Sequence, residues 1–168
     1  EEGEADFAPE PFFQYAREAL RRIAALGFRR IYILQHHQGA DGLEVLCLKR
    51  AAMEVVRETV HEWGAGWGRG PTDQLPNPDI FNWIRLAYLD SFSEYPGPYP
   101  GSMQTGHGSK GETMLIMAVL PETVRMELLG RLETLPSWLE NAHEADAQVG
   151  RQWLEFCVDG WVRELAPA

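Results

Sequence analysis

Long apolar runs are absent from this chain. None approaches the ~20 residues that a membrane span needs. The longest candidate, Met114 to Pro121, is too short and reads as a buried helix. Cysteine is scarce as well, with Cys47 and Cys157 alone among 168 residues. A disulfide framework or a thiolate metal site would need more cysteines at closer spacing. Both lie in apolar stretches, so they read as reduced core thiols. With no secretory signal in view, the cytoplasm is the expected compartment. Basic charge is in deficit: 15 Lys and Arg stand against 25 Asp and Glu, a net charge of −10. A nucleic-acid binder needs a clustered basic face to displace counterions from phosphates. Here the basic residues are spread along helices beside acidic ones, so nucleic acid is set aside. No G-x-S-x-G, P-loop, H-E-x-x-H or paired C-x-x-C occurs, which leaves those chemistries without a signature.

What is present suits one soluble globular domain with a real core: 45% of residues are apolar and 24% charged. Residues 1–8 read as an acidic lead-in without periodicity, and 9–168 as the domain. Phe12, Phe13, Ala16, Leu20, Ile23 and Ala24 recur at helical spacing. They predict a helix entered through Pro9 or Pro11 and ended at Gly27. Ile31 to Leu34 is a short β-branched and aromatic run and predicts a buried strand. A polar loop, Gln35 to Gly42, leads to a second helix from about Leu43 to Trp63. Helix, strand, loop, helix is one turn of a parallel α/β wind. In such sheets chemistry collects beyond the carboxyl ends of the strands, where His36 and His37 lie.

Residues 64–79 are rich in Gly and Pro and predict a loop, in the manner of a lid. Ile80, Trp83, Ile84 and Ala87 are spaced as a short helix. Tyr95 to Gly101 is a rigid Pro-Gly loop. The stretch His107-Gly108-Ser109-Lys110-Gly111-Glu112-Thr113 opens onto the apolar helix Met114–Leu120, and Pro121 restarts a short helical turn. The last helix runs from about Ala145 to Leu165, with Val149, Trp153, Phe156, Cys157, Val158, Trp161 and Val162 on its apolar side.

Two histidine-bearing loops could carry chemistry. Imidazole is the commonest transition-metal ligand, and a strand end fixes its direction, which suits His36 and His37. The same pair also suits polar loop residues capping the next helix. His107 and Glu112 flank a Gly-rich turn, where a loop His and a first-turn carboxylate can converge as a metal ligand beside a proton-transfer group. Glu112 equally suits a helix start by its charge alone. Glu44, Glu54, Glu58 and Glu62 form one charged helix face, read as solvated surface.

The order and spacing of the two loops resemble the creatininase (creatinine amidohydrolase) family. Leu26-Gly27-Phe28-Arg29-Arg30 followed by Ile31–Leu34 and Gln35-His36-His37-Gln38-Gly39-Ala40 is similar to the family's helix–turn–strand and Asn-Gly-His loop. His107 to Met114, with Pro121-Glu122-Thr123-Val124, is similar to its His-Ala-Gly-x-x-Glu-Thr-Ser stretch and Pro-Glu-x-Val turn. Ala147-Gln148-Val149-Gly150-Arg151 is similar to the start of its final helix. The resemblance implies a three-layer α/β sandwich with a mainly parallel sheet flanked by helices. It implies a divalent metal, Zn or Mn, and a small-molecule amide substrate. It places metal ligation on His37 and Glu112 and a catalytic histidine on His107, with Gln35, His36, Gln104 and Trp67 as pocket positions.

The chain departs from the family pattern at several points. Gln35, His36 and Ala40 replace Asn, Gly and Asn. Gly39 stands where creatininase proper has a ligating glutamate, Gln104 or Thr105 where an Asp is usual, and Met114 where Ser follows Glu-Thr. Nothing in residues 1–30 is similar to the Glu-x-His-Gly and bridging Asp of the family's N-terminal third, and the chain starts on Glu1 rather than Met. Two expectations follow. Either that third belongs to a longer or partner chain of a homo- or hetero-oligomer, or this is a diverged structural or regulatory subunit.

Overall fold

Two prolines set the entry to the first helix, α1 (Pro9–Ala25): proline is pre-shaped for a helix start, where its missing N–H costs nothing. Phe13, Ala16 and Leu20 form the buried stripe of α1. The helix stops at Gly27, whose φ of 96° is open to glycine and strained for any residue with a Cβ. In the computed structural model, residues 8–35, 37, 41–62, 80–94 and 107–166 are described. The chain divides into two compact units, Glu1–Leu89 and Asp90–Ala168.

In the first unit, strand β1 (Ile31–Leu34) is followed by helix α2 (Leu43–Glu62) and strand β2 (Ile84–Ala87). The two strands pair in parallel, Ile31 opposite Ile84 and Leu34 opposite Ala87. Parallel pairing requires a crossover, and α2 supplies it as a βαβ unit. The ladder extends at both ends, where the Ile31 N–H donates to Trp83 O at 2.7 Å and the Gln35 N–H to Ala87 O at 2.9 Å. Phe13, Leu20, Ile31, Ala51, Val55, Ile80, Trp83 and Ile84 belong to one core cluster. Across the top of that core, Arg17 pairs with Glu54 at 3.3 Å, Arg21 with Glu58 at 2.8 Å and Arg50 with Glu10 at 3.0 Å. Such exposed pairs contribute about 0–1 kcal/mol each, against about 1.5–3 kcal/mol for each fully buried large apolar side chain. Burial therefore holds α1 on α2, and the ion pairs select which faces meet.

Three expectations are corrected here. Residues 80–87 are not a helix but a 3-10 turn (Ile80–Asn82) running into β2. A short strand with residues buried on both faces lacks the alternation that marks a half-buried one, so its apolar spacing mimics a helix. β1 is less buried than a central strand, with Ile31 inside and Leu34 59% exposed. Glu54 and Glu58 are not merely solvated, because they hold the arginines of α1. The predicted loops at 64–79 and 95–101 lie outside the described residues.

In the second unit, helix α3 (Lys110–Val119) and helix α4 (Ala147–Leu165) pack together, joined by 3-10 turns that include Pro121–Thr123. Asp146 caps α4, its Oδ1 accepting from the N–H groups of Gln148 at 2.8 Å and Val149 at 2.9 Å. The buried face of α4 is Gly150, Trp153, Cys157 and Gly160. Val158 and Val162, expected on the apolar side, are 50% and 64% exposed. The buried stripe is narrow because two glycines let neighbouring backbone come close. A Cβ on Gly150 would lie 2.1 Å from Met114 O, and one on Gly160 2.3 Å from Phe92 O. Cys157 is a buried free thiol whose pKa is pushed up to about 11 by burial and by Asp90. That environment suits an inert thiol. Cys47 departs from the expected core thiol in being only partly buried, its Sγ 3.5 Å from Pro9 O. Among the described residues, no helix is long and apolar enough to cross a membrane.

Alanine normally stabilises a helix interior over glycine by about 1 kcal/mol. At Gly150 and Gly160 the sign should reverse, because overpacking against backbone costs about 1–3 kcal/mol. Thermal unfolding of Gly150→Ala and Gly160→Ala is expected to show a lower Tm for each. An unchanged or higher Tm would disprove the close packing of α4.

Candidate functional site

The second unit contains the turn into α3, built residue by residue from the motif. Gly108 has φ of 64°, the left-handed region. Both of its backbone groups are bound by side chains from the first turn of α3. Its N–H donates to Glu112 Oε2 at 2.7 Å, and its carbonyl accepts from Thr113 Oγ1 at 3.0 Å. Counting Ser109 as the N-cap, Glu112 is the third helical residue, and its reach back to the turn is a variant of the capping box. Leu139 covers the turn, with its Cδ2 2.8 Å from where a Gly108 Cβ would stand. Ser109 is buried at 3% exposure, while His107 beside it is exposed.

Residues distant in sequence complete this helix start. Asn141 Oδ1 accepts from the Lys110 N–H at 2.9 Å, and Lys110 Nζ pairs with Glu144 at 2.9 Å. Asn141 thereby satisfies one of the donors that a helix start leaves open. The sequence reading missed Asn141 and Glu144, which lie 31 and 34 residues from Lys110. No local spacing signals a cap supplied from that far along the chain.

Glu112 thus has one oxygen fixed, while Oε1 has no hydrogen-bond partner among the described residues. A carboxylate held through one oxygen, with the other open, has the geometry of a ligand oriented by a backbone donor. His107 and Glu112 are brought together by sequence and by the shared turn, with Gly108 as the link.

His37 lies in the first unit, exposed and two residues past the paired end of the ladder. Gln35 is buried at 9% exposure, and its side-chain amide donates to the His37 carbonyl. Gln35 therefore shapes the loop backbone from beneath the histidine. His36, Trp67 and Gln104 lie outside the described residues. Among the described residues, no three of His, Cys, Asp and Glu gather as a metal-holding group.

A profile of the creatininase family, described as creatinine amidohydrolase, matches residues 2–165. Among solved structures, a mutant creatininase complexed with creatine is similar at 18% identity and a TM-score of 0.67, over 98% of this chain and 68% of that one. A Zn-Zn type of mutant creatininase is similar at 18% identity and 0.67, over 99% and 67%. A structure described as "Creatininase Mn" is similar at 17% identity and 0.68, over 99% and 68%. At these identities the structural likeness shows the fold. No curated protein matches the chain.

Two outcomes test the turn. Glu112→Ala should cost about 1 kcal/mol of stability through the lost cap, whereas Glu112→Gln, which can still accept from Gly108 N–H, should cost less. Denaturant titrations giving the two variants equal stability would reject the cap. Lys110, through its hydrogen bond and its charge, holds the Glu144 carboxyl below its ordinary value of 4.5. A depressed carboxylate pKa adds stability above the unfolded value, lost as pH falls through the folded one. Glu144→Gln should therefore lower Tm at about pH 7, and the difference from the unsubstituted protein should shrink as pH falls below the ordinary carboxylate range.

Proposed function

Because this chain belongs to the creatininase family, we propose that it hydrolyses the C–N bond of a cyclic or small amide, with divalent zinc or manganese as cofactor. The observation that carries this reading is the turn at Gly108, which holds one oxygen of Glu112 and leaves the other without a hydrogen-bond partner among the described residues, one peptide bond from an exposed His107. Carboxylate oxygen and imidazole nitrogen are donor types that both metals accept, so Glu112 in its unit and His37 in its own are each proposed as a metal ligand. The ion would supply Lewis acidity, polarising the amide carbonyl and making water a stronger nucleophile near neutral pH. His107 gives a proton from an imidazole nitrogen to the departing amide nitrogen. Gln35 positions His37 by holding its backbone. Further ligands come from outside the described residues, on this polypeptide or on a partner chain of a homo- or hetero-oligomer. Residues 9–168 work as a single domain, in keeping with a family profile that spans nearly all of them. The cytoplasm remains the proposed compartment.

A second reading is a structural or regulatory subunit with impaired catalysis. Its support is that Glu112 already caps a helix, that no three donors gather among the described residues, and that Gly39 replaces a ligating position of the resembled family.

Metal analysis and turnover of the intact protein with creatinine and other small lactams separate the two. The enzyme reading expects a bound divalent ion, lost in Glu112→Gln. It also expects His107→Ala to lower kcat by about 10²–10⁴-fold. An intact protein free of divalent metal, or full turnover in His107→Ala, would overturn it.

A further inference from the structure

The first unit contains a cavity of about 350 Å³, within the size range of small-molecule sites. Glu18, Arg21, Arg22, Arg29, Glu58 and Trp83 line it. Arg29 lies two residues before β1, and Trp83 directly precedes β2. The cavity therefore lies at the amino ends of the strands, whereas His37 follows their carboxyl ends. We infer that this cavity is a second binding site, for a small zwitterion that carries one carboxylate and one cationic nitrogen.

The guanidinium groups carry the argument. Arg29 Nη1 donates to Ala24 O at 2.7 Å and to Phe28 O at 2.9 Å, and its Cζ lies 4.2 Å from the centre of the Trp83 ring. Three contacts fix the plane of that guanidinium. Capping the end of α1 occupies only Nη1, so Nε and Nη2 have no hydrogen-bond partner among the described residues. Arg22 binds Glu18 Oε1 through Nε at 2.6 Å, and its two terminal nitrogens likewise have no partner among the described residues. Paired N–H donors on a pre-set plane match a carboxylate, which accepts through two oxygens.

Charge decides the rest. Three arginines and two glutamates give the lining 3 − 2 = +1, in a chain whose net charge is −10. The positive excess lies at the arginine donors and suits the ligand's single carboxylate there; a dianionic phosphate would exceed it and meet Glu18 and Glu58. Those two carboxylates keep lone pairs beyond their arginine contacts, and α1 ends here with the negative pole of its dipole. Both features favour a cationic nitrogen at the other end of the ligand.

Isothermal titration of the intact protein with 4-aminobutyrate, butyrate, butylamine and inorganic phosphate tests the site. The zwitterion should bind at one site per chain, and butyrate about fivefold or more weaker, since charged hydrogen bonds contribute more than neutral ones. Arg22→Gln and Arg29→Gln should each raise Kd about tenfold or more, as loss of a charged hydrogen bond does. Arg22 is 80% exposed, so its variant should fold even where the loss of Arg29 disturbs the end of α1. His107→Ala should leave this affinity unchanged, which separates the site from the proposed hydrolytic one. The inference is overturned if no probe gives saturable heat, if phosphate binds at least as tightly as 4-aminobutyrate, or if Arg22→Gln and Arg29→Gln both bind as the unsubstituted protein does. Loss of binding in His107→Ala would also overturn it.

Discussion

The hydrogen bond from the Gly108 N–H to Glu112 holds a left-handed residue at the entrance to α3, and His107, Ser109 and the first helical turn take their positions from it. The charge-assisted bond is short, and its donor is a backbone group that cannot wander. Thr113 binds the carbonyl of the same residue, so the turn is closed from both sides. A carboxylate in this position serves two ends at once. It satisfies the N–H of the turn that precedes the helix, and it loses the freedom to swing that an unattached glutamate would have.

Much of this was legible in the sequence, for definite reasons. Pro9 and Gly27 bracket α1, and Ile31–Leu34 forms a strand within those limits. Glu112 lies in the first turn of its helix, as the motif requires. β2 was misread because Ile84 and Ala87 are buried on opposite faces of a four-residue strand, too short for alternation to declare itself. Asn141 and Glu144 were invisible because the chain returns to Lys110 only after the 3-10 turns that follow α3. Local periodicity has no access to such closures. The spare donors of Arg22 and Arg29 were hidden for the same reason, since only the folded α1–α2 pair shows which nitrogens are already used.

The two halves of the chain manage charge differently. In the first unit, arginines of α1 meet glutamates of α2 above an apolar core, and the pairing sets helix register more than stability. In the second unit, the Lys110–Glu144 pair closes a loop onto a helix start. The cavity beside Trp83 is a place where the local sign turns positive.

The contact at Gly150 also fixes the azimuth of α3. Met114 presents its backbone to α4 there, and residues two apart on a helix are about 200° apart around its axis. Glu112 is thereby turned to the side of α3 away from α4, as a hand on a clock is set by a pin behind the dial. A bulkier residue at position 150 would rotate that hand without touching it. Position 150 thus bears on the orientation of Glu112 by leverage, although it carries no charge and its N–H is already taken by Asp146 O.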